Sequence, residues 1–397
     1  TKVGGSAMRG FLRSMVTAVI AVVIVGSLSL LQSVSSGVRL MSGTVLAMGG
    51  ASNPHGRDMD RELDGYFSGS PDTPYAGYDF QAVEWSAQVV SFGFGTLFYD
   101  QSQAEGLAAI NAAIDAADSG SPIVVVGYSA SAGVITKKLR ALELERDAGL
   151  SVPDPADLSF ILFGNPNRPN GGILSRLPGL YIPPPLGVTF DGPTPVTGYQ
   201  TLDVSWEYDP VSDFPNQPFS VLADLNALVA FATRHSFYYD VDLTDAGSYV
   251  SDVTIGNTRY VTLRREHLPL LEPLYKWLPV LAPVLDAVEP ALRYMVDLAY
   301  DRTVSPAVST PLELRPLRRD PAEVVDGFVA SLQGSQTSVP LPIDDETPAA
   351  LPRTQRGTTP SVMSGLRVAP AQTKASDRGR GHAAGRDSAA KTGRRAA

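Results

Sequence analysis

The sequence predicts an α/β fold in which a mostly parallel central sheet is flanked by helices. Apolar runs rich in β-branched residues alternate with segments of helical periodicity, a pattern typical of β-α-β units. One of these runs, residues 122–128, is apolar almost throughout, as expected of a strand covered on both faces. With 397 residues, 44% of them hydrophobic, the chain can bury one large core.

The expected elements follow one another along the chain. A helix is predicted over 101–120, where Gly120 follows the last periodic residue, and another from residue 130 to about 148. Helices placed between strands at this spacing predict a sheet covered by helices on both faces. The predicted strands lie within residues 43–50, 89–95, 122–128, 157–166 and 199–210.

Two segments interrupt this alternation. Residues 166–198 are dense in proline and glycine, and a loop of this length in a compact domain indicates a lid or binding segment. Residues 268–300 are apolar helical pieces broken by five prolines. The second segment is interpreted either as ordinary packing helices or as one wall of an acyl-chain channel.

The N-terminal part of the chain predicts a membrane anchor. Residues 14–38 carry no charge, and the apolar run 15–31 with its flanks reaches about the length that spans a bilayer. Arg9 and Arg13 precede the run, which predicts a cytoplasmic stub within residues 1–38 and a catalytic domain on the extracytoplasmic side of the cell membrane. A cleaved signal peptide is the alternative interpretation.

Charge and composition exclude several function classes. The net charge of −9 conceals a strongly acidic body, which disfavours nucleic acid as a partner, and a tail over 352–397 that is rich in arginine and lysine. This tail has almost no large apolar residues and is predicted to be disordered. The chain has no cysteine, which excludes disulfides and thiolate chemistry. No metal-ligand spacing and no phosphate-binding loop is present, so no cofactor is predicted.

The stretch "PIVVVGYSASAGV" predicts a catalytic nucleophile. Gly127, Ser129 and Ser131 form Gly-x-Ser-x-Ser between an apolar strand and a helix, the setting of a nucleophile elbow. Ser131 stands where such elbows usually have a second glycine, and serine is also small. The alternative is that Ser129 merely starts a helix.

A serine nucleophile needs a base that is oriented by an acid. In this topology the acid and the histidine follow the serine along the chain, an order that His55 does not meet. Asp209 directly follows a strand and is favoured over Asp213 as the acid. His235 is favoured over His267 as the base.

The oxyanion that forms in such a reaction is stabilised by two backbone N–H groups. One is expected from Ala130, at the start of the helix that follows Ser129. The other is expected from the glycine-containing turn after the first strand, at Gly50 or Ala51.

Several blocks of the chain, taken in order, resemble the PE-PPE domain serine hydrolases of mycobacteria. They are "LAMGGASNP", "YDQSQAEGLAAINAAI", "VVVGYSASAGV", "FGNPNRPNGGIL", "YDPVSDFP" and "LPLLEPLY". The resemblance implies a cutinase-like α/β-hydrolase domain over 43–345 with Ser129 as the nucleophile. It also implies esterase or acyltransferase activity on lipids. The order of aspartate and histidine, with "HSFYY", is similar to the cutinase arrangement and supports Asp209 with His235.

The membrane-anchor segment makes the chain similar to family members that build acyl-trehalose glycolipids. This likeness implies a membrane, a lipid or glycolipid substrate, and envelope lipid-export proteins as partners. The leading hypothesis is therefore transfer of acyl groups between acyl-trehalose glycolipids. The alternatives are a simple cutinase-like lipid esterase and a catalytically inactive lipid-binding envelope protein.

Overall fold

The computed structural model of the protein describes residues 43–117, 120–314 and 321–333. The predicted anchor within residues 1–38 and the predicted tail over 352–397 lie outside these ranges. Within these ranges, no helix is both long enough and apolar enough to cross a bilayer.

The described residues form strands and helices in largely alternating order. The strands are β1 (Thr44–Met48), β2 (Asp79–Ala82), β3 (Ile123–Tyr128), β4 (Leu158–Phe163), β5 (Tyr181–Ile182), β6 (Val188–Thr189), β7 (Thr201–Trp206), β8 (Tyr249–Ile255) and β9 (Thr258–Leu263). The α-helices are α1 (Tyr99–Ala116), α2 (Ala130–Asp147), α3 (Val221–Thr233), α4 (Glu272–Trp277), α5 (Ala282–Asp297) and α6 (Pro321–Leu332).

Seven of these strands form one sheet in the order β2-β1-β3-β4-β7-β9-β8. Every neighbouring pair is parallel except β8 and β9, which form an antiparallel hairpin at one edge. The mostly parallel sheet predicted from the sequence is therefore confirmed. In a parallel sheet the carboxyl ends of the strands meet at one edge, so the loops after β1, β3 and β7 lie together.

The prediction of a strand within residues 89–95 is wrong. These residues form a tight turn around a short 3₁₀ segment, Val90–Phe92, and only Val89 and Phe94 pair across it. Gly93 and Gly95 adopt φ angles of 80° and 75°, which turn the chain back and prevent an extended strand. The edge strand is instead β2, whose side chains are largely exposed and lack the apolar signal.

The two faces of the sheet are covered differently. On one face, side chains such as Leu46, Val125 and Leu162 pack against α1 and α2. On the other face, the apolar side chains meet irregular segments around residues 59–67 and 238–243. Among the described residues only a short, irregular 3₁₀ segment, Met59–Gly65, and loops cover this second face, so the prediction of helices on both faces is not met there by any α-helix. A separate cluster packs α3 and α5 around Tyr208, beyond the end of β7.

The segment 166–198, predicted to be a lid, has two parts in the structure. Its beginning is buried, and the Arg168 guanidinium donates to the Asp203 carboxylate of β7 at 3.2 Å. Its later part contains the short antiparallel hairpin of β5 and β6. A lid function for this segment stays a prediction.

Candidate active site

Ser129 occupies a sharp turn between β3 and α2. Its φ and ψ angles are 55° and −118°, a region that L-residues rarely adopt and that costs about 1–3 kcal/mol. A Cβ at Gly127 would lie 2.4 Å from Cδ1 of Ile135 and 2.9 Å from the carbonyl oxygen of Ser131. The first glycine of the pattern is therefore required because the following helix turns back against the strand.

The strained turn holds Ser129 next to a histidine. Ser129 Oγ lies 2.8 Å from His235 Nε2, and His235 Nδ1 lies 2.9 Å from each carboxylate oxygen of Asp209. His235 is 4% exposed and Asp209 is fully buried. The structure thus brings the three favoured residues into one hydrogen-bonded chain.

Three donors besides His235 hold the Asp209 carboxylate. The Val211 N–H and the Ser212 hydroxyl each donate at 2.9 Å, and the Tyr238 hydroxyl donates at 3.2 Å. Burial raises the pKa of Asp209, but the nearby His235 and the hydrogen bonds from Val211 and Ser212 outweigh it and keep the pKa below its usual range. The carboxylate therefore stays ionised despite full burial. Ser212 was not anticipated from the sequence, and Tyr238 was marked only by the "HSFYY" resemblance.

The imidazole of His235 contacts two aromatic rings. Phe231 stacks on it with centroids 5.3 Å apart and planes 15° apart, and the Tyr128 ring lies 5.6 Å away at a tilt of 30°. The Tyr128 hydroxyl also donates to the backbone carbonyl of His235. These contacts fix both the ring and the backbone of the histidine. Sequence reasoning missed Tyr128 because nothing local connects it with residue 235.

The two alternates predicted from the sequence bind elsewhere. Asp213 accepts two hydrogen bonds from the Arg302 guanidinium, both at 2.7 Å. His267 Nδ1 lies 2.9 Å from Glu289, and its ring stacks on Tyr275 with centroids 3.7 Å apart.

His55, excluded by chain order, is exposed and lies 2.9 Å from Glu84. No group of three or more histidine and carboxylate side chains suited to a metal occurs in the part of the chain that the structure describes.

Two of the residues predicted as oxyanion donors, Gly50 and Ala130, lie next to Ser129. Met48 of β1 is in register with Gly127 of β3, which brings the loop after β1 next to the elbow. A Cβ at Gly50 would lie only 3.3 Å from Cβ of Ser129, so the backbone approaches closely there. Ala51 follows directly. Ala130 is the first residue of α2, where backbone N–H groups have no intrahelical acceptor.

Comparison with known proteins relates this chain to mycobacterial proteins. The PE-PPE domain matches residues 76–301. Esterase PE16 of Mycobacterium tuberculosis is 40% identical over 78% of this chain and 58% of its own length. Two further proteins of that organism are each 29% identical to the chain: SL1278 acyltransferase Chp1, over 63% of this chain and 62% of its own, and diacyltrehalose acyltransferase Chp2, over 54% and 60%. The chain thus spans about three fifths of the length of these relatives.

Proposed function

Since the chain belongs to the PE-PPE domain family, we propose that it is a serine-dependent enzyme that removes acyl groups from lipid esters through an acyl-enzyme at Ser129. The observation that carries the proposal is the hydrogen-bonded chain from Ser129 through His235 to a buried, ionised Asp209. The printed names of one esterase and two acyltransferases among the relatives support the same class of chemistry.

The geometry suits the two half-reactions of such an enzyme. His235 Nε2 takes the proton of Ser129 as Oγ attacks the ester carbonyl, while Asp209 holds Nδ1–H and stabilises the imidazolium. The N–H groups of Ala130 and of the turn at Gly50 and Ala51 receive the developing oxyanion. The leaving alcohol takes the proton from Nε2 as the carbon–oxygen bond breaks. A second hydroxyl then attacks the acyl-enzyme by the same path in reverse.

The acceptor of the acyl group separates the two candidate reactions. Water as the acceptor makes the protein a lipid esterase, and a sugar hydroxyl makes it an acyltransferase on acyl-trehalose glycolipids. Incubation with a long-chain monoacyl-trehalose distinguishes them by mass spectrometry. More highly acylated trehalose supports transfer, whereas free fatty acid as the only product supports hydrolysis.

Labelling by a fluorophosphonate probe tests the serine itself. Because the probe reacts with an activated serine, we expect stoichiometric labelling of the native chain, mapped by peptide mass spectrometry to the peptide containing Ser129. Ser129→Ala should abolish both labelling and hydrolysis of p-nitrophenyl butyrate. Undiminished labelling of Ser129→Ala, or a native chain that is inert in both assays, would contradict the proposal and leave the lipid-binding alternative.

Membrane tethering by the uncharged run 14–38 is part of the proposal. A tether would raise the effective concentration of a membrane-confined donor lipid at the site. Carbonate extraction of membranes from expressing cells tests it, because an anchored chain stays with the pellet. Protease added to intact spheroplasts should degrade the catalytic domain if it faces outward, and a protected domain would contradict that orientation.

A further inference from the structure

An apolar groove runs along one side of α3, next to the residues of the candidate active site. Its volume is about 310 Å³. One wall is the loop that follows β7, and the other is a single face of α3, since its α3 residues are spaced by three or four positions. The lining residues are Pro210, Phe214, Pro218, Asp224, Ala227, Leu228 and Phe231.

Both walls of the groove border candidate catalytic residues. Pro210 directly follows Asp209 along the chain. Phe231 lines the groove, and its ring stacks on the imidazole of His235. A ligand in the groove therefore lies one aromatic ring away from the base that would activate Ser129.

The lining chemistry selects an apolar occupant. Leu228 is 65% exposed and Phe231 is 49% exposed, although both are large apolar side chains. Asp224 is the one charged side chain in the lining, and burial against its apolar neighbours raises its pKa. The volume lies at the lower end of the range for small-molecule sites, about 300–1,000 Å³, and the predominantly apolar lining suits an alkyl chain.

We propose that this groove binds the distal part of the acyl chain of the ester substrate, with Leu228 as a determinant of chain-length specificity. The inference rests on the proposed function, because it assigns a subsite to the same reaction. Acyl groups of a few carbons stay near Ser129, whereas longer chains pass Phe231 and bury their methylenes between α3 and the loop after β7. Each methylene moved from water into such a groove contributes a factor of about four to kcat/KM.

Two matched substitutions on α3 test this assignment. Leu228→Glu places a carboxylate in the groove, whereas Leu225→Glu changes the same residue type on the same helix outside the groove lining. Leu225 is 47% exposed, so neither change disturbs the core. The measurement is the ratio of kcat/KM for p-nitrophenyl decanoate to that for p-nitrophenyl butyrate, with the full chain and with substrates below their aggregation limits.

We expect Leu228→Glu to lower this ratio by at least about tenfold, corresponding to the loss of two methylene contacts, while Leu225→Glu keeps the wild-type ratio. An unchanged ratio in Leu228→Glu, or an equal fall in both variants, overturns the proposal. A Leu228→Glu variant that elutes as a smaller species with an unchanged ratio identifies a second copy of the chain as the occupant and also overturns it. A wild-type chain that hydrolyses neither ester and is not labelled at Ser129 refutes the proposed function itself.

Discussion

Replacing Asp209 by asparagine removes one negative charge from the candidate site and keeps the shape of the side chain. The carboxylate faces His235 Nδ1 at 2.9 Å through both oxygens and accepts from Val211 N–H, also at 2.9 Å. Asparagine keeps one carbonyl oxygen for Val211. Its amide group would present hydrogens where the second oxygen accepted from Ser212 and Tyr238.

The consequences for stability and for rate differ greatly in size. The hydroxyls of Ser212 and Tyr238 can rotate to accept from the new amide, so we expect a loss of about 1–3 kcal/mol in the free energy of unfolding. The imidazolium, by contrast, loses its negative counter-charge. In addition, Nδ1–H no longer faces a carboxylate, which can only accept hydrogen bonds, but an amide group that can also donate them. In a serine, histidine and aspartate arrangement this replacement lowers kcat by about 10⁴-fold.

The assay is kcat for p-nitrophenyl butyrate together with thermal unfolding, and Asp213→Asn is the matched control. Asp213 follows Asp209 by four residues but pairs with Arg302, so its loss should lower the melting temperature and leave kcat near wild type. A kcat for Asp209→Asn within about tenfold of wild type would refute the assignment of the acid. So would a larger fall in kcat for Asp213→Asn.

Two further predictions concern side chains away from the hydrogen-bonded chain. His267→Asn should leave kcat unchanged because that ring binds Glu289, and a loss comparable with that of Asp209→Asn would contradict this. Glu62 is buried with one carboxylate oxygen unpaired, and burial raises its pKa from 4.5 to about 8. Between pH 4.5 and pH 8 the folded protein therefore keeps a proton on Glu62 that the unfolded chain has lost. The contribution of Glu62 to the free energy of unfolding is thus full below pH 4.5 and declines towards pH 8. Glu62→Gln cannot titrate, so its melting temperature relative to wild type should rise between pH 5 and pH 8; a constant difference would show that Glu62 is ionised when folded.

The elbow was predictable because its determinants are local. A buried strand, three small residues and a helix lie within residues 122–147, and the structure places Ser129 at the turn between β3 and α2. The choice between Asp209 and Asp213 was not local. Both lie in one loop, and what separates them is Arg302, which is 89 residues away from Asp213 along the chain. Sequence order favours one aspartate, but only tertiary packing shows which one reaches His235.

The errors in the fold have a similar physical origin. β2 pairs with β1 through its backbone, and its exposed side chains have no need of an apolar pattern. The apolar pattern of "VVSFGFG" predicts a strand, but its glycines turn the chain. In the described part of the chain, the second face of the sheet is covered by an irregular 3₁₀ segment and by loops, and periodicity carries no signal for loop packing.

Ser131, the last residue of the Gly-x-Ser-x-Ser pattern, has a structural role that its small size alone does not explain. The Ser131 hydroxyl donates to the carbonyl of Met48 at 2.8 Å and accepts from the Tyr128 N–H at 2.9 Å. It therefore ties the end of β1, which leads into Gly50, to the turn that carries Ser129. A glycine at 131 would remove both of these hydrogen bonds, each worth about 0.5–1.5 kcal/mol net. It would also loosen the loop that is predicted to supply the second oxyanion donor, so we expect the hydroxyl at 131 to couple that loop to the turn carrying Ser129.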